Sequence, residues 1–289
     1  MNVYRLEAKT DLRRAALSLS ALARVRVSAT VAVLSMLGFF LYRPEITGAV
    51  FATGLGSFFL CAGCCALNQV QEKRTDGYFS RTVMRPLPQG RISSKMAALT
   101  AVLWIGLAVS LYSMTGSSQA LIMALVVVAV FNGLYTGLKR RTPYALFVGG
   151  VAGAMPPLIG WIAAGGSMYD PLILSNCVMW YLVQIPHLWI RVYKHKEEYI
   201  SRFSPVPVSY FMLAHHTAFM RFWYFAYVCS IMMFALVCTW QLGVSSLVGT
   251  LLGCVLLFGS ILPIAKLASA YLFDAISVCI LVGAVLIQL

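Results

Sequence analysis

Asn68, Glu72 and Asp76 stand four residues apart in a short polar stretch, NQVQEKRTDGYFSRTVMRPLPQGR, which fills positions 68–91 between two long apolar runs. Residues at i, i+4 and i+8 share one face of a helix, so an amide and two carboxylates would point the same way. Arg81, Arg85 and Arg91 follow, around a turn stiffened by Pro86 and Pro88 and released at Gly90. Oxygen ligands beside guanidiniums suit a Mg2+–diphosphate. The hard cation takes few carboxylates and shares the phosphate oxygens, and Arg binds such oxygens through paired donors. In a chain this apolar the diphosphate would belong to a lipid, and Arg85 is the cation expected to meet it. Acids are scarce, nine in all, so an in-register pair at the end of an apolar run marks a functional site by default.

Further polar groups recur at the ends of other apolar runs. Tyr135-Thr-Gly-Leu-Lys139-Arg140-Arg141 closes one, and Lys139 there either neutralises phosphate or anchors the membrane topology. Gln184-Ile-Pro-His187 leads into Arg191, Lys194 and then Glu197-Glu198-Tyr199, repeating the pattern of a span end followed by acids and bases. Two acid clusters on one side of a bundle could hold two metal ions on one diphosphate. His187 lies within an apolar run, as a hydrogen-bonded core residue or as a contact for a porphyrin or its iron; His215 and His216, at a span entry, are weaker candidates. Gly149 and Gly153 form a small-residue packing face ahead of Pro156 and Pro157, which are expected to kink their helix. Cys61, Cys64 and Cys65 have no partner motif and read as packing residues. Motifs for hydrolases, mononucleotides and dinucleotides are missing.

The elements that must position these groups are membrane helices. The 289 residues are 60% hydrophobic and 11% charged, with a mean hydropathy of +0.82, the composition of an integral membrane protein. Nine apolar stretches approach the ~20 residues that a bilayer core requires: 25–42, 46–67, 93–114, 118–137, 144–164, 171–190, 218–238, 243–263 and 267–288. The expected fold is all-α, a polytopic bundle of about nine transmembrane helices. Residues 1–23 form a cytoplasmic or interfacial segment, and 24–289 a single transmembrane domain. Of the 22 Lys and Arg, all but Arg43 fall in five regions: 1–26, 73–95, 139–141, 191–221 and Lys266. With nine spans these lie on one side, so the positive-inside rule puts the N-terminus in the cytoplasm and the C-terminus outside. The net charge of +13 is thus a matter of topology and membrane lipid, and no nucleic-acid partner is expected. The acid-poor, Arg/Ser-rich presequence of an organellar protein is lacking, which points to a bacterial inner membrane.

Taken together, these segments resemble the UbiA superfamily of intramembrane prenyltransferases, and within it the protohaem IX farnesyltransferase (haem O synthase) branch. The family's N-x-x-x-D-x-x-x-D helix and R-T-x-x-R-P-L-P-x-G-x-I-S turn are matched by Asn68 to Asp76 and Arg81 to Ser93. Its Y-T-x-L-K-R-R-T and G-A-x-P-P-x-I-G-W are matched by Tyr135 to Thr142 and Gly153 to Trp161, and its Q-x-P-H by Gln184 to His187. The resemblance implies a helical bundle around a lipid-accessible cavity and farnesyl transfer from farnesyl diphosphate to haem B. Asn68, Glu72, Asp76 and Glu198 would hold Mg2+. Arg85, Lys139 and Arg140 would neutralise the diphosphate, and Arg81, Tyr135, His187 and Tyr199 would line the substrate sites. Partners would be found in a terminal-oxidase haem pathway.

The chain departs from the family pattern at several positions. Glu72 and Glu198 stand where Asp is usual, Arg202 where many members carry another Asp, and Val25 where Pro is common. Two other functions share these features: a UbiA-type enzyme acting on a quinone precursor or another aromatic acceptor, and a non-catalytic haem-binding assembly protein of the membrane.

Overall fold

Inside a bilayer every backbone N–H and C=O must find a partner within its own segment, and apolar helices are the solution this chain adopts. The computed structural model describes residues 14–242 and Val282. In chain order, α1 is Arg14–Ala23, α2 Val25–Phe40, α3 Gly48–Gln71, α4 Lys73–Asp76, α5 Ser94–Ser113 and α6 Ser118–Leu138. Then come α7 Ala145–Ala163, α8 Pro171–Lys194, α9 Lys196–Ile200, α10 Tyr210–Ala214 and α11 His216–Leu242. Six of these are long and apolar enough to cross a membrane, and a seventh span results if the bent pair α1–α2 counts as one. The expected total of nine is therefore not reached among the described residues. The stretches 243–263 and 267–288 lie outside them.

The bend between α1 and α2, 47°, is made at Arg24, whose φ of 48° places it in the left-handed region. Breaking a helix strands carbonyls that need donors. Gln69 of α3 donates to Leu22 O at 2.9 Å, and Ser28 to Ala23 O at 2.8 Å. Leu22 itself packs with Ala66, Leu87, Ala97 and Ala101, which seats α1 and the 77–93 turn on the ends of α3 and α5.

Small residues let the central helices approach to backbone contact. A Cβ on Gly160 of α7 would fall 1.8 Å from Ser35 O, and one on Gly38 of α2 would fall 2.1 Å from Pro157 O. Ser35 donates to Pro156 O at 2.9 Å and accepts from Ser57 of α3, which also bonds Tyr112 of α5, each at 2.6 Å. This buried polar chain ties four helices together. α7 runs on as one helix through both prolines, and the Gly149–Gly153 stripe packs as expected. Added Cβ atoms there would meet the Tyr135 ring at 2.8 Å and Gln184 at 2.8 Å.

Candidate active site

α3 stops at Gln71 because Glu72 leaves helical geometry (φ −99°, ψ 10°), and α4 restarts at once. The i→i+4 bonds survive the break: Glu72 N donates to Asn68 O at 2.8 Å, and Asp76 N to Glu72 O at 2.7 Å. The three side chains consequently keep one face, as their spacing predicts. All three are buried, with 8%, 2% and 3% of their surface exposed. A carboxylate buried to that degree must be paired.

α6 supplies the first partners. Its last turns widen into a π-helical segment, Ala129–Tyr135, a local expansion often found at functional sites. Asn132 donates to Cys64 O at 3.0 Å, and Gln71 donates back to Asn132 O at 3.1 Å, fixing α6 against α3. In this register Thr136 accepts from the Asn68 amide at 3.1 Å, which leaves the amide oxygen for a cation. One turn on, Lys139 reaches both oxygens of Glu72, at 3.0 and 3.1 Å. Burial opposes its charge, but Tyr135 and Glu72 hold the ammonium above the ordinary Lys range.

The Pro-rich turn supplies the second cation. Thr82 donates to Asp76 O at 2.8 Å, folding the turn back on α4, and Arg85 then meets Asp76 Oδ2 at 2.6 Å. Burial pushes the Asp76 carboxyl above its usual range, and Arg85 pulls it the other way. Two cation–carboxylate pairs thus stand side by side at the end of the bundle.

α9 closes the site from the far side of the sequence. The Tyr199 ring packs against that of Phe79, tilted by 34° with centroids 4.6 Å apart. Burial raises its phenol above the ordinary range, while the charges of Lys139 and Arg81 oppose the rise. The neighbouring Glu198 carboxylate accepts from Ser80 N at 2.9 Å and Ser80 Oγ at 2.5 Å, with His195 Nδ1 at 3.4 Å. The Ser80 bonds hold Glu198 below the usual carboxylate range. Tyr78 OH donates to Glu198 O at 3.2 Å.

The expected residues divide by place. Asn68, Glu72, Asp76, Arg85, Lys139, Tyr135, Arg81 and Tyr199 are brought to one end of the bundle. Arg140 binds Gln71 O, where it caps the C-terminus of α3 beside Glu72. Glu198 sits at the rim, bound to Ser80, and His187 lies buried in α8 with its Nε2 against Arg191 one turn later. Three functional neighbours were not expected. Thr136 and Asn132 carried a signal, because Asn132, Thr136 and Lys139 form a polar stripe at i, i+4 and i+7 of an apolar helix. Ser80 carried none.

The donor set fits a Mg2+–diphosphate. Among the described residues no three acidic, His or Cys side chains converge on one point, so the protein alone makes no cage. Magnesium characteristically uses one or two carboxylates and completes its octahedron with phosphates and water. Glu72 and Asp76, with the Asn68 oxygen, would meet that minimum, and Lys139 and Arg85 would meet the charge of the phosphates.

Residues 30–271 match the model of the UbiA prenyltransferase family. A protoheme IX farnesyltransferase of Nitratidesulfovibrio vulgaris (strain Hildenborough) is 34% identical over 262 residues, covering 90% of this chain and 91% of that protein. Among solved structures, a digeranylgeranylglyceryl phosphate synthase superposes with a TM-score of 0.67 at 16% identity, covering 97% of this chain and all of that one. A UbiA homologue from Archaeoglobus fulgidus bound to DMAPP and Mg2+ superposes with a TM-score of 0.65 at 12% identity, covering 93% of this chain and 98% of that one.

Proposed function

Because this chain belongs to the UbiA prenyltransferase family, we propose that it transfers the farnesyl group of farnesyl diphosphate to a vinyl group of haem B, giving haem O. The observation that carries this reading is the pair of buried ion pairs, Glu72–Lys139 and Asp76–Arg85, at the end of a membrane helix bundle. Each pair joins a carboxylate that can hold a metal to a cation that can meet a phosphate. The farnesyl donor and haem acceptor are supported by the relative's name and by the Gln184-Ile-Pro-His187 segment.

Asn68, Glu72 and Asp76 would hold Mg2+, with Glu198 at the rim toward the other side of the diphosphate. The ion, when bound, offsets diphosphate charge and makes it a better leaving group. Lys139 and Arg85 turn from their carboxylates to the diphosphate oxygens, and Arg81 and Arg140 add to the field around them. These cations stabilise charge that grows as the bond from farnesyl C1 to the bridging oxygen breaks. The aromatic faces of Tyr135 and Tyr199 shield the allylic cation. The haem vinyl carbon then bonds C1. Water adds to the cation left on the neighbouring carbon and loses its proton, giving a hydroxyethylfarnesyl group. His187, backed by Arg191, would orient the haem. The protein would lie in the bacterial cytoplasmic membrane with this site on the cytoplasmic side.

The test is an assay of the purified protein with haem B, farnesyl diphosphate and Mg2+, following product mass. The expected product is haem carrying one farnesyl and one hydroxyl group, with diphosphate released. EDTA should abolish it, and Asp76→Asn should reduce it about 100-fold or more. Diphosphate release with a quinone precursor but not with haem would move the assignment to that acceptor. Haem binding that persists in Asp76→Asn, with no diphosphate released by the wild type, would leave a haem-binding protein instead.

A further inference from the structure

Three consecutive residues after α4 each contact the Glu198–Tyr199 pair of α9. Tyr78 OH donates to the Glu198 carbonyl at 3.2 Å, the Phe79 ring packs against Tyr199 with centroids 4.6 Å apart, and Ser80 donates through N and Oγ to the two Glu198 carboxylate oxygens at 2.9 and 2.5 Å. Residues separated by about 120 positions are thereby locked side by side. On one side of this lock stand Asp76 and Arg85, and on the other Tyr199 stands within the field of Lys139. It bridges the two acid segments directly.

We propose that Ser80 is a positioning residue for the metal–diphosphate site: it fixes the Glu198 carboxylate at the rim so that this acid is presented, already oriented, to a Mg2+–diphosphate seated between Asp76, Lys139 and Arg85. The proposal rests on the prenyltransferase reading above and adds a residue to it. Two observations carry the geometry. A carboxylate has about four lone-pair positions, and Ser80 and His195 engage three at most, so one remains for a metal. The Glu198 side chain also keeps 28% of its surface exposed, so a cation can reach it. The arrangement suits the longer acid as well. A Glu at 198 spans from α9 to the backbone N–H of residue 80, and the hydroxyl at 80 holds its second oxygen. Ser80 thus restrains the extra rotatable bond that Glu adds relative to Asp.

The experiment compares Ser80→Ala, Ser80→Thr and Glu198→Gln in lipid nanodiscs. Mn2+ bound with a farnesyl thiodiphosphate is read by electron paramagnetic resonance, and the Mg2+ dependence of turnover is read alongside. Ser80→Ala should weaken Mn2+ binding in the ternary complex about 10-fold, the low end of the range for residues that orient a metal ligand. It should also raise the half-maximal Mg2+ by a similar factor, with kcat at saturating Mg2+ nearly unchanged. Ser80→Thr, which keeps the hydroxyl, should restore both, and Ser80→Ala in a Glu198→Gln background should add nothing. Equal loss in Ser80→Ala and Ser80→Thr, or a lowered melting temperature with metal binding intact, would reduce Ser80 to a fold contact and overturn the proposal. So would an undiminished Mn2+ signal in Glu198→Gln. Failure of the functional reading looks different: the wild type itself would bind no Mn2+–thiodiphosphate and transfer no prenyl group.

Discussion

At the residue scale the site is governed by charge compensation. Glu72 and Asp76 are almost fully buried, so their ionised forms depend on Lys139 and Arg85. The two partners of a pair are not equivalent. The Lys139 side chain keeps 23% of its surface and Glu72 only 3%, so an ammonium left alone can reach water and a carboxylate left alone cannot. Lys139→Met should therefore destabilise the protein more than Glu72→Gln, toward the low end of the roughly 3–5 kcal/mol seen when one partner of a buried pair is removed. Glu72→Gln should stay within about 1–2 kcal/mol. Thermal melting of the two variants in nanodiscs checks the order, and a larger loss in Glu72→Gln would contradict it. Both variants should also lose prenyl transfer, because each removes a group that we propose to act on the metal–diphosphate.

At the element scale the bundle depends on helices that touch backbone to backbone. Gly160 is the tightest such point, and Ser35 O cannot move without disturbing its own helix. Gly160→Ala should cost roughly 3 kcal/mol, the upper part of the range for overpacking. Gly106 of α5 is the control, since an added Cβ there meets nothing within 4 Å. Gly106→Ala should change stability by less than about 0.5 kcal/mol. Denaturation of both variants in one detergent checks the contrast. The same scale explains the π segment. A regular helix through 129–135 would turn Thr136 and Lys139 off their partners on α3, so widening there serves the pairing of Glu72.

At the scale of the whole molecule, the basic loops and the paired acids occupy one end of the bundle, the end we propose to be cytoplasmic. The two termini of α5 and α6 report this directly. With native cysteines replaced, Cys substituted at Met114, exposed in the α5–α6 connection, should react with an impermeant maleimide in intact spheroplasts. Cys substituted at Arg141 should react only in inverted vesicles. The opposite pattern would place the diphosphate site outside and remove the cytoplasmic assignment.

The helical class, the spans from 46 to 238 and the acids of the first motif were legible in the chain because each depends on local pattern. Long apolar runs can only be helices in lipid, and a spacing of four keeps Asn68, Glu72 and Asp76 on one face even across the break at Glu72. The Tyr135–Lys139 and Arg81–Arg85 segments were legible as cations but not as partners, since nothing in their order says which acid each one meets. Tertiary structure made those choices. The π segment sets Lys139 on Glu72, Thr82 folds Arg85 onto Asp76, Arg140 becomes a helix cap, and Ser80, which belongs to no motif, takes hold of Glu198. Pattern along a chain fixes which face a side chain occupies. Which face it meets depends on how closely two helices approach, and here that distance is set by glycines and buried serines that take no part in the site themselves.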